Sequence, residues 1–198
     1  GQSFYGVARV KVSGPAGSTA AAGIAQGGFR VLLLEEHDEI GVPLHCSGLV
    51  TPRTLEEAGV GEELVINKVV GAHVYAPSGR RLTLGDGRLR ALVIDRVGLD
   101  RALVARAQER NVDLAMEAKP VAVERCDGGL LLKVVRRGAC TTVRTRLLVG
   151  ADGARSRVAR ALGMEGPKER VFGLGIEGLL PGADRENVQI FTGKSVAP

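Results

Sequence analysis

The segment that most constrains the fold is residues 10–28, VKVSGPAGSTAAAGIAQGG, which joins a short strand to an alanine-rich helix through a glycine turn. Gly14 lets the backbone approach a pyrophosphate, and Gly17 lets the helix pack close to the strand. The N-terminus of the helix presents N–H groups and the positive end of its dipole to the phosphates. This pattern predicts a dinucleotide-binding turn, although Val12 stands where the G-x-G-x-x-G fingerprint has its first glycine.

The strand after this helix supplies a second part of the fingerprint. The helix is predicted over residues 18–26, and residues 29–34 contain the run VLLL, which is typical of a strand buried on both faces. Glu35 stands at the carboxyl end of that strand, 21 positions after Gly14. This spacing is close to the ~20 residues at which an acidic side chain meets a ribose hydroxyl, so a strand–helix–strand unit is predicted here.

The rest of the chain alternates between helical and strand patterns. We predict helices over 51–58, 99–110 and 156–162, strands over 7–12, 92–95, 112–116, 121–124, 130–136 and 141–149, a hairpin over 65–84 around the turn at 77–79, and two more strands, VFGLGIEGLL and VQIF, after Pro167. The hairpin interrupts the strand–helix rhythm and indicates a second domain growing out of the first. The predicted division is 1–65 and 92–166 for the nucleotide-binding domain, 66–91 for an antiparallel insertion, and 167–198 for the start of a substrate domain.

Composition excludes several classes of function. The chain has 198 residues, of which 44% are hydrophobic and 25% charged, as in folded globular proteins. Its net charge is +5, but the 27 Lys and Arg residues are spread along the chain and there is no Trp, so nucleic-acid binding is not expected. Three widely spaced cysteines fit neither a disulfide framework nor a metal site. We expect a reducing, cytoplasmic location. No apolar run is long enough to span a bilayer, and peripheral membrane contact is left open.

Four features in this order resemble a known superfamily. They are the GPAGSTAA turn, Glu35, IDRVGLDRAL at 94–103 and GADGARSRVARALG at 150–163. Together they resemble the FAD-dependent oxidoreductases of the glutathione-reductase-like superfamily, in the branch shared by aromatic-ring hydroxylases and geranylgeranyl reductases. The loop EIGVPLHCSGLVTPRTLEEAGV at 39–60 is similar to the geranylgeranyl reductase family. The resemblance implies an α/β fold: a Rossmann-like parallel sheet that binds FAD, a β-meander, and the beginning of an antiparallel substrate-domain sheet.

The resemblance also implies roles for individual residues. The pyrophosphate would lie on the turn, the adenosine ribose on the acidic residue, the ribityl and phosphate region beside an arginine and the GADG turn, the flavin ring near the cysteine loop, and the adenine beside a strand. The implied residues are Gly14, Pro15, Ala16, Gly17 and Ser18 for the pyrophosphate and Glu35 for the ribose. They are Arg96, Asp152 and Gly153 for the ribityl and phosphate region, Cys46 and Ser47 for the flavin ring, and Pro120 for the adenine. Cys46 is also the one candidate catalytic residue.

Each assignment has a structural alternative. Asp152 is also placed to cap the helix that follows it. Arg96 can serve in a surface ion pair, Cys46 can be a small buried hydrophobic residue, and His45 can be a loop residue. Pro120 has no N–H, so it removes one of the two backbone contacts that its strand can offer the adenine.

The family resemblance implies a function. Its members reduce isolated double bonds of prenyl chains in isoprenoid lipids, with electrons from NAD(P)H or ferredoxin. Two alternatives stay open: a flavin-dependent monooxygenase, and a non-catalytic FAD-binding fragment. The second is motivated by Val12, by Arg9 and Lys11 in the predicted first strand, and by the lack of the second glycine–aspartate motif and the C-terminal region found in the family. We therefore expect the N-terminal half of a longer enzyme.

Overall fold

The structure is a computed structural model, and it describes residues 4–10, 14–44, 46–169, 171, 173 and 181–193. Val12, His45 and most of the strand predicted at 171–180 lie outside the described residues. The chain divides into two compact units: the first contains Gly1–Leu44 and Val97–Phe172, and the second contains His45–Arg96 and Gly173–Pro198. These boundaries differ from the predicted ones, since the second unit takes the cysteine loop and extends to Arg96.

Short strands and helices follow one another along the whole described chain. In chain order they are β1 (Phe4–Val10), α1 (Pro15–Gln26), β2 (Val31–Leu34), β3 (Leu49–Val50), α2 (Pro52–Ala58), β4 (Val65–Val69), β5 (Gly71–Tyr75), β6 (Arg81–Gly85), β7 (Ala91–Ile94), α3 (Arg96–Glu109), β8 (Asp113–Ala115), β9 (Ala118–Cys126), β10 (Gly129–Arg136), β11 (Ala139–Gly150), α4 (Arg157–Ala161) and β12 (Asn187–Phe191). Two single 3₁₀ turns, Glu62–Leu64 and Gly153–Arg155, complete the described part. None of its helices is long and apolar enough to cross a membrane.

The first unit is built on a six-stranded sheet in the order β8-β2-β1-β11-β10-β9. The strands β8, β2, β1 and β11 run parallel to one another, whereas β11, β10 and β9 form an antiparallel meander. This sheet confirms the predicted combination of a parallel sheet with a β-meander.

The strand β2 shows why this sheet needs cover on both faces. All of its residues are buried, and successive side chains point to opposite faces. Val31 and Leu33 pack in a core with residues of α1 and α3, whereas Leu32 and Leu34 pack in a second core with the meander and Val158 of α4. The run VLLL is therefore apolar at every position because both faces of the strand are buried.

The second unit contains two small sheets, in the orders β3-β7-β4 and β12-β5-β6. The hairpin predicted over 65–84 is formed by β5 and β6 alone, because β4 pairs with β7 instead. The VQIF segment is confirmed as a strand, β12, but it lies parallel to β5, so this sheet is mixed rather than purely antiparallel. Alternation of apolar and polar residues predicts a strand, but it does not determine the partner of that strand.

The sheet β12-β5-β6 has one apolar face. The register places Val188 beside Ala72 and Ala72 beside Leu84, and it places Val74 between Ile190 and Leu82. The opposite face carries the stacked rings of Tyr75 and Phe191, whose centroids are 4.7 Å apart. On the apolar face Leu82, Leu84 and Ile190 are exposed.

Candidate functional site

Three of the predicted site segments meet at one edge of the first unit's sheet. The adjacent parallel strands β1, β2 and β11 end at that edge, since parallel strands have their carboxyl ends on the same side. Gly14 lies a few positions beyond the end of β1, Glu35 directly follows β2, and Asp152 follows β11 closely. Ligands of open α/β sheets bind at this kind of edge.

The turn at Gly14 leads directly into α1. Gly14 has extended backbone angles, and its carbonyl oxygen accepts hydrogen bonds from the N–H groups of Gly17 at 3.0 Å and Ser18 at 3.2 Å. Pro15 occupies the first helical position, where its fixed φ suits the helix and no donor is lost. The helix thus begins before the predicted start at residue 18, and its first turn, which includes the exposed Ala16, lies at the edge of the sheet.

Ser18 carries a buried hydroxyl group in the first turn of α1. The residue is 0% exposed, and its Oγ has no hydrogen-bond partner within the described part of the chain. An unsatisfied buried hydroxyl costs about 1–3 kcal/mol. A phosphate oxygen at the N-terminus of α1 would satisfy this donor at the positive end of the helix dipole, so the residues present fit a pyrophosphate.

Glu35 is held in a network of hydrogen bonds. It is 1% exposed, its N–H donates to the carbonyl of Ala115 at 2.9 Å, and its own carbonyl accepts from Ala118 at 2.7 Å. These bonds attach the residue after β2 to the end of β8 and to the start of β9. The Oε1 atom accepts from the backbone N–H of His37 at 2.8 Å and lies 2.6 Å from His37 Nδ1.

Asp152 is 6% exposed, and its carboxylate faces the start of α4. Its Oδ2 atom accepts the N–H groups of Arg157 at 2.5 Å and Val158 at 3.2 Å, and its Oδ1 atom accepts the hydroxyl of Ser156. Ser156 in turn accepts the N–H of Ala159 at 2.9 Å, as a helix N-cap does. Asp152 therefore caps α4, which was its structural alternative. A ligand bound here would share the carboxylate with these donors.

Two features near Asp152 were missed or only partly explained by the sequence. Ser156 fixes the carboxylate, and its signal was the position of a serine directly before the helix. Gly150 ends β11, where an added Cβ would lie 2.9 Å from Val158 Cγ1. The glycine therefore allows α4 to pack against the end of the strand, and the nearby Gly153 has φ +70°.

Pro120 lies in β9, the edge strand of the sheet. It is buried, and the β9–β10 register shifts beside it between Lys133 and Val134. Edge strands and bulges are the places where a proline is tolerated in a sheet, because no ladder N–H is lost. Pro120 also lines a cavity of about 30 Å³ together with Val158 and Ala161.

The remaining predicted residues belong to the second unit, and each lies within two positions of Gly48 or Ile94, which share a backbone hydrogen bond. The N–H of Ile94 donates to the carbonyl of Gly48 at 3.0 Å, which brings the exposed Cys46 and Ser47 near the start of α3 at Arg96. Gly48 has φ +74°, and an added Cβ would lie 2.3 Å from the Ile94 oxygen. Cys46 is a free, exposed thiol rather than a buried hydrophobic residue.

Comparison with known proteins identifies the family. Residues 11–184 match the family model described as FAD binding domain. The chain belongs to this family. The FAD cofactor implied by the four-part resemblance is therefore confirmed. The described residues include no group of three or more His, Cys, Asp and Glu that could hold a metal.

Several similar proteins are named digeranylgeranylglycerophospholipid reductase. The chain is 36% identical over 159 residues to digeranylgeranylglycerophospholipid reductase 2 of Methanopyrus kandleri, covering 77% of this chain and 38% of that protein. It is 29% identical over 158 residues to digeranylgeranylglycerophospholipid reductase of Methanococcus vannielii, covering 79% and 40%. A geranylgeranyl bacteriochlorophyll reductase-like protein of Thermoplasma acidophilum has the same fold, with a TM-score of 0.81 at 24% identity, over 98% of this chain and 51% of that one. The chain thus spans about 40% of the length of the curated relatives it matches.

Proposed function

We propose that this chain is the FAD-binding part of an oxidoreductase that reduces isolated double bonds of prenyl chains in isoprenoid lipids. The observation that carries the proposal is the buried Ser18 hydroxyl at the first turn of α1, which has no hydrogen-bond partner among the residues that the structure describes and lies at the same sheet edge as Glu35 and Asp152. The similarity to digeranylgeranylglycerophospholipid reductases supports the substrate class.

The chain's own residues would hold FAD at two sets of positions. In the first unit, Gly14–Ser18 would bind the pyrophosphate, Glu35 the adenosine ribose, and Asp152 with Gly153 the ribityl chain, while the strand at Pro120 would pass the adenine. In the second unit, Arg96 would place a fixed cation along the ribityl and phosphate region, where it opposes the phosphate charge. When FAD is bound, it supplies the hydride chemistry.

The exposed loop at Cys46 and Ser47 would lie near the flavin ring, with Cys46 as the candidate catalytic residue. An isolated alkene has no carbonyl group to polarise, so this reaction needs position, a dry pocket and a proton source rather than a set of charged catalytic groups. The second unit would then begin the substrate domain. The electron donor would be NAD(P)H or ferredoxin, and a cytoplasmic enzyme with peripheral membrane contact fits a lipid substrate.

A turnover assay on the full-length protein tests this function. The enzyme, reduced through FAD, is incubated with a geranylgeranyl lipid, and the products are analysed by mass spectrometry. We expect saturated prenyl chains, and the chain of 198 residues alone is expected to bind FAD with little or no turnover. Oxygen-dependent formation of a hydroxylated product would favour the monooxygenase instead, and a full-length protein that binds FAD but never turns over would favour a non-catalytic flavoprotein.

A further inference from the structure

The His37 side chain touches the proposed ribose-binding carboxylate, and no sequence motif singles it out. Its Nδ1 atom lies 2.6 Å from Glu35 Oε1, while its backbone N–H donates to the same oxygen at 2.8 Å. Each carboxylate oxygen can accept about two hydrogen bonds, and an ionised carboxylate donates none. His37 therefore makes two contacts with Oε1, and beside an ionised carboxylate the ring contact requires the tautomer with hydrogen on Nδ1.

The position of His37 is itself fixed by the fold. Its carbonyl oxygen accepts the N–H of Glu117 at 3.0 Å, in the segment that joins β8 to β9. The ring is 39% exposed, and its Nε2 atom lies 3.8 Å from Glu36 Oε1, which is the carboxylate that pairs with Lys119. The imidazole thus has Nδ1 beside the buried Glu35 carboxylate and Nε2 on the side of Glu36.

We propose that His37 is a positioning residue for FAD: it fixes the orientation of the Glu35 carboxylate, which accepts the hydroxyl groups of the adenosine ribose. Glu35 has rotatable side-chain bonds, and a carboxylate that must be ordered at binding loses affinity to that ordering. His37 contacts Oε1 both through its backbone N–H and through its ring. This inference rests on the proposed FAD site and adds to it a residue that contacts the acid rather than the cofactor.

A matched pair of substitutions tests the Nδ1 contact. In His37→Asn the amide nitrogen can occupy the place of Nδ1, whereas in His37→Gln it reaches the place of Nε2. The purified chain is titrated with FAD and with an FAD analogue that lacks both hydroxyl groups of the adenosine ribose, and thermal unfolding is measured for every variant. We expect His37→Gln to bind FAD about tenfold more weakly than wild type, and His37→Asn to stay within about threefold.

The analogue separates positioning from a general structural effect. If His37 acts through the ribose-binding carboxylate, the loss caused by His37→Gln disappears when the hydroxyl groups are absent, as in a double-mutant cycle between two coupled groups. Equal losses for FAD and the analogue, or no loss for FAD in His37→Gln, would overturn the inference while leaving the FAD site in place. A wild-type chain that binds neither ligand would instead overturn the proposed function.

Discussion

The edge of the first unit's sheet and the sheet β12-β5-β6 of the second unit distribute polar and apolar groups in opposite ways. At the first edge, polar side chains are buried: Ser18, Glu35 and Asp152 are between 0% and 6% exposed. On the small sheet, apolar side chains are exposed, with Leu82 at 59% and Ile190 at 43%. Buried polar groups must be satisfied by a partner or a ligand, whereas exposed apolar groups contribute little until something covers them. Stability and cofactor affinity are therefore expected to reside in the first unit.

The largest expected contrast comes from the same truncation in the two units. Leu33→Ala removes a side chain that is 0% exposed between α1 and α3, and it should lower the free energy of unfolding by about 2–5 kcal/mol. The matched variant Leu82→Ala, on the exposed face, should change it by less than about 0.5 kcal/mol. Urea unfolding measured by circular dichroism compares the two, and similar losses would mean that the small sheet's apolar face is covered.

Asp152→Ala should produce the next largest effect, because it leaves the N–H groups of Arg157 and Val158 and the Ser156 hydroxyl without their acceptor. We expect a loss of about 2–3 kcal/mol in the free energy of unfolding, together with weaker FAD binding. The control is Asp86→Ala in the second unit, whose exposed carboxylate accepts from Arg88 and Arg90. The control should leave the urea midpoint unchanged. An Asp152→Ala variant as stable as wild type would show that the carboxylate is not needed to cap α4.

Ser18→Ala should separate folding from binding. Removing a buried hydroxyl that has no partner in the described structure should leave the free energy of unfolding unchanged or raise it by up to about 3 kcal/mol. FAD affinity should fall by about tenfold because a phosphate oxygen loses one donor. Thr19→Ala removes the exposed hydroxyl of the next residue and should leave FAD affinity within about twofold, so it is the matched control. If both substitutions weaken binding equally, the buried hydroxyl is not a phosphate ligand.

The smallest expected effect concerns the loop at Cys46. The thiol is exposed, whereas Cys126 is partly buried, so a thiol reagent should modify Cys46 faster in the native protein. Cys46→Ser should change the free energy of unfolding by less than about 0.5 kcal/mol. Mass spectrometry after limited labelling identifies the modified cysteine. Faster labelling of Cys126 would contradict the exposed position of the loop.

The sequence predicted those parts of the fold that depend on local pattern. The run VLLL predicted a strand covered on both faces, and the glycine turn with Glu35 predicted a strand–helix–strand unit. It did not predict that β4 leaves the expected hairpin to pair with β7, because period-2 alternation is the same for every partner. Nor did it predict the start of α1 at Pro15, although proline is favoured at the first helical position.

The candidate site was predicted in part for a similar reason. Motif spacing placed Gly14, Glu35 and Asp152 at the ends of strands, and the topology brings those ends to one edge. The contacts of Ser156 and His37 with the two carboxylates depend on side-chain orientation after the strands have ended. No periodicity encodes that orientation, so the two contacts became visible only in three dimensions, although the position of Ser156 before α4 was a sequence signal for a helix cap.

The most direct test of the central claim is a titration of the purified chain with FAD, followed by flavin absorbance and fluorescence. We predict saturable binding of one FAD per chain, with affinity that falls in Ser18→Ala and is retained in Thr19→Ala. A chain that is folded by circular dichroism yet binds no FAD at concentrations up to about 1 mM would contradict the claim that the edge at Gly14, Glu35 and Asp152 holds the cofactor.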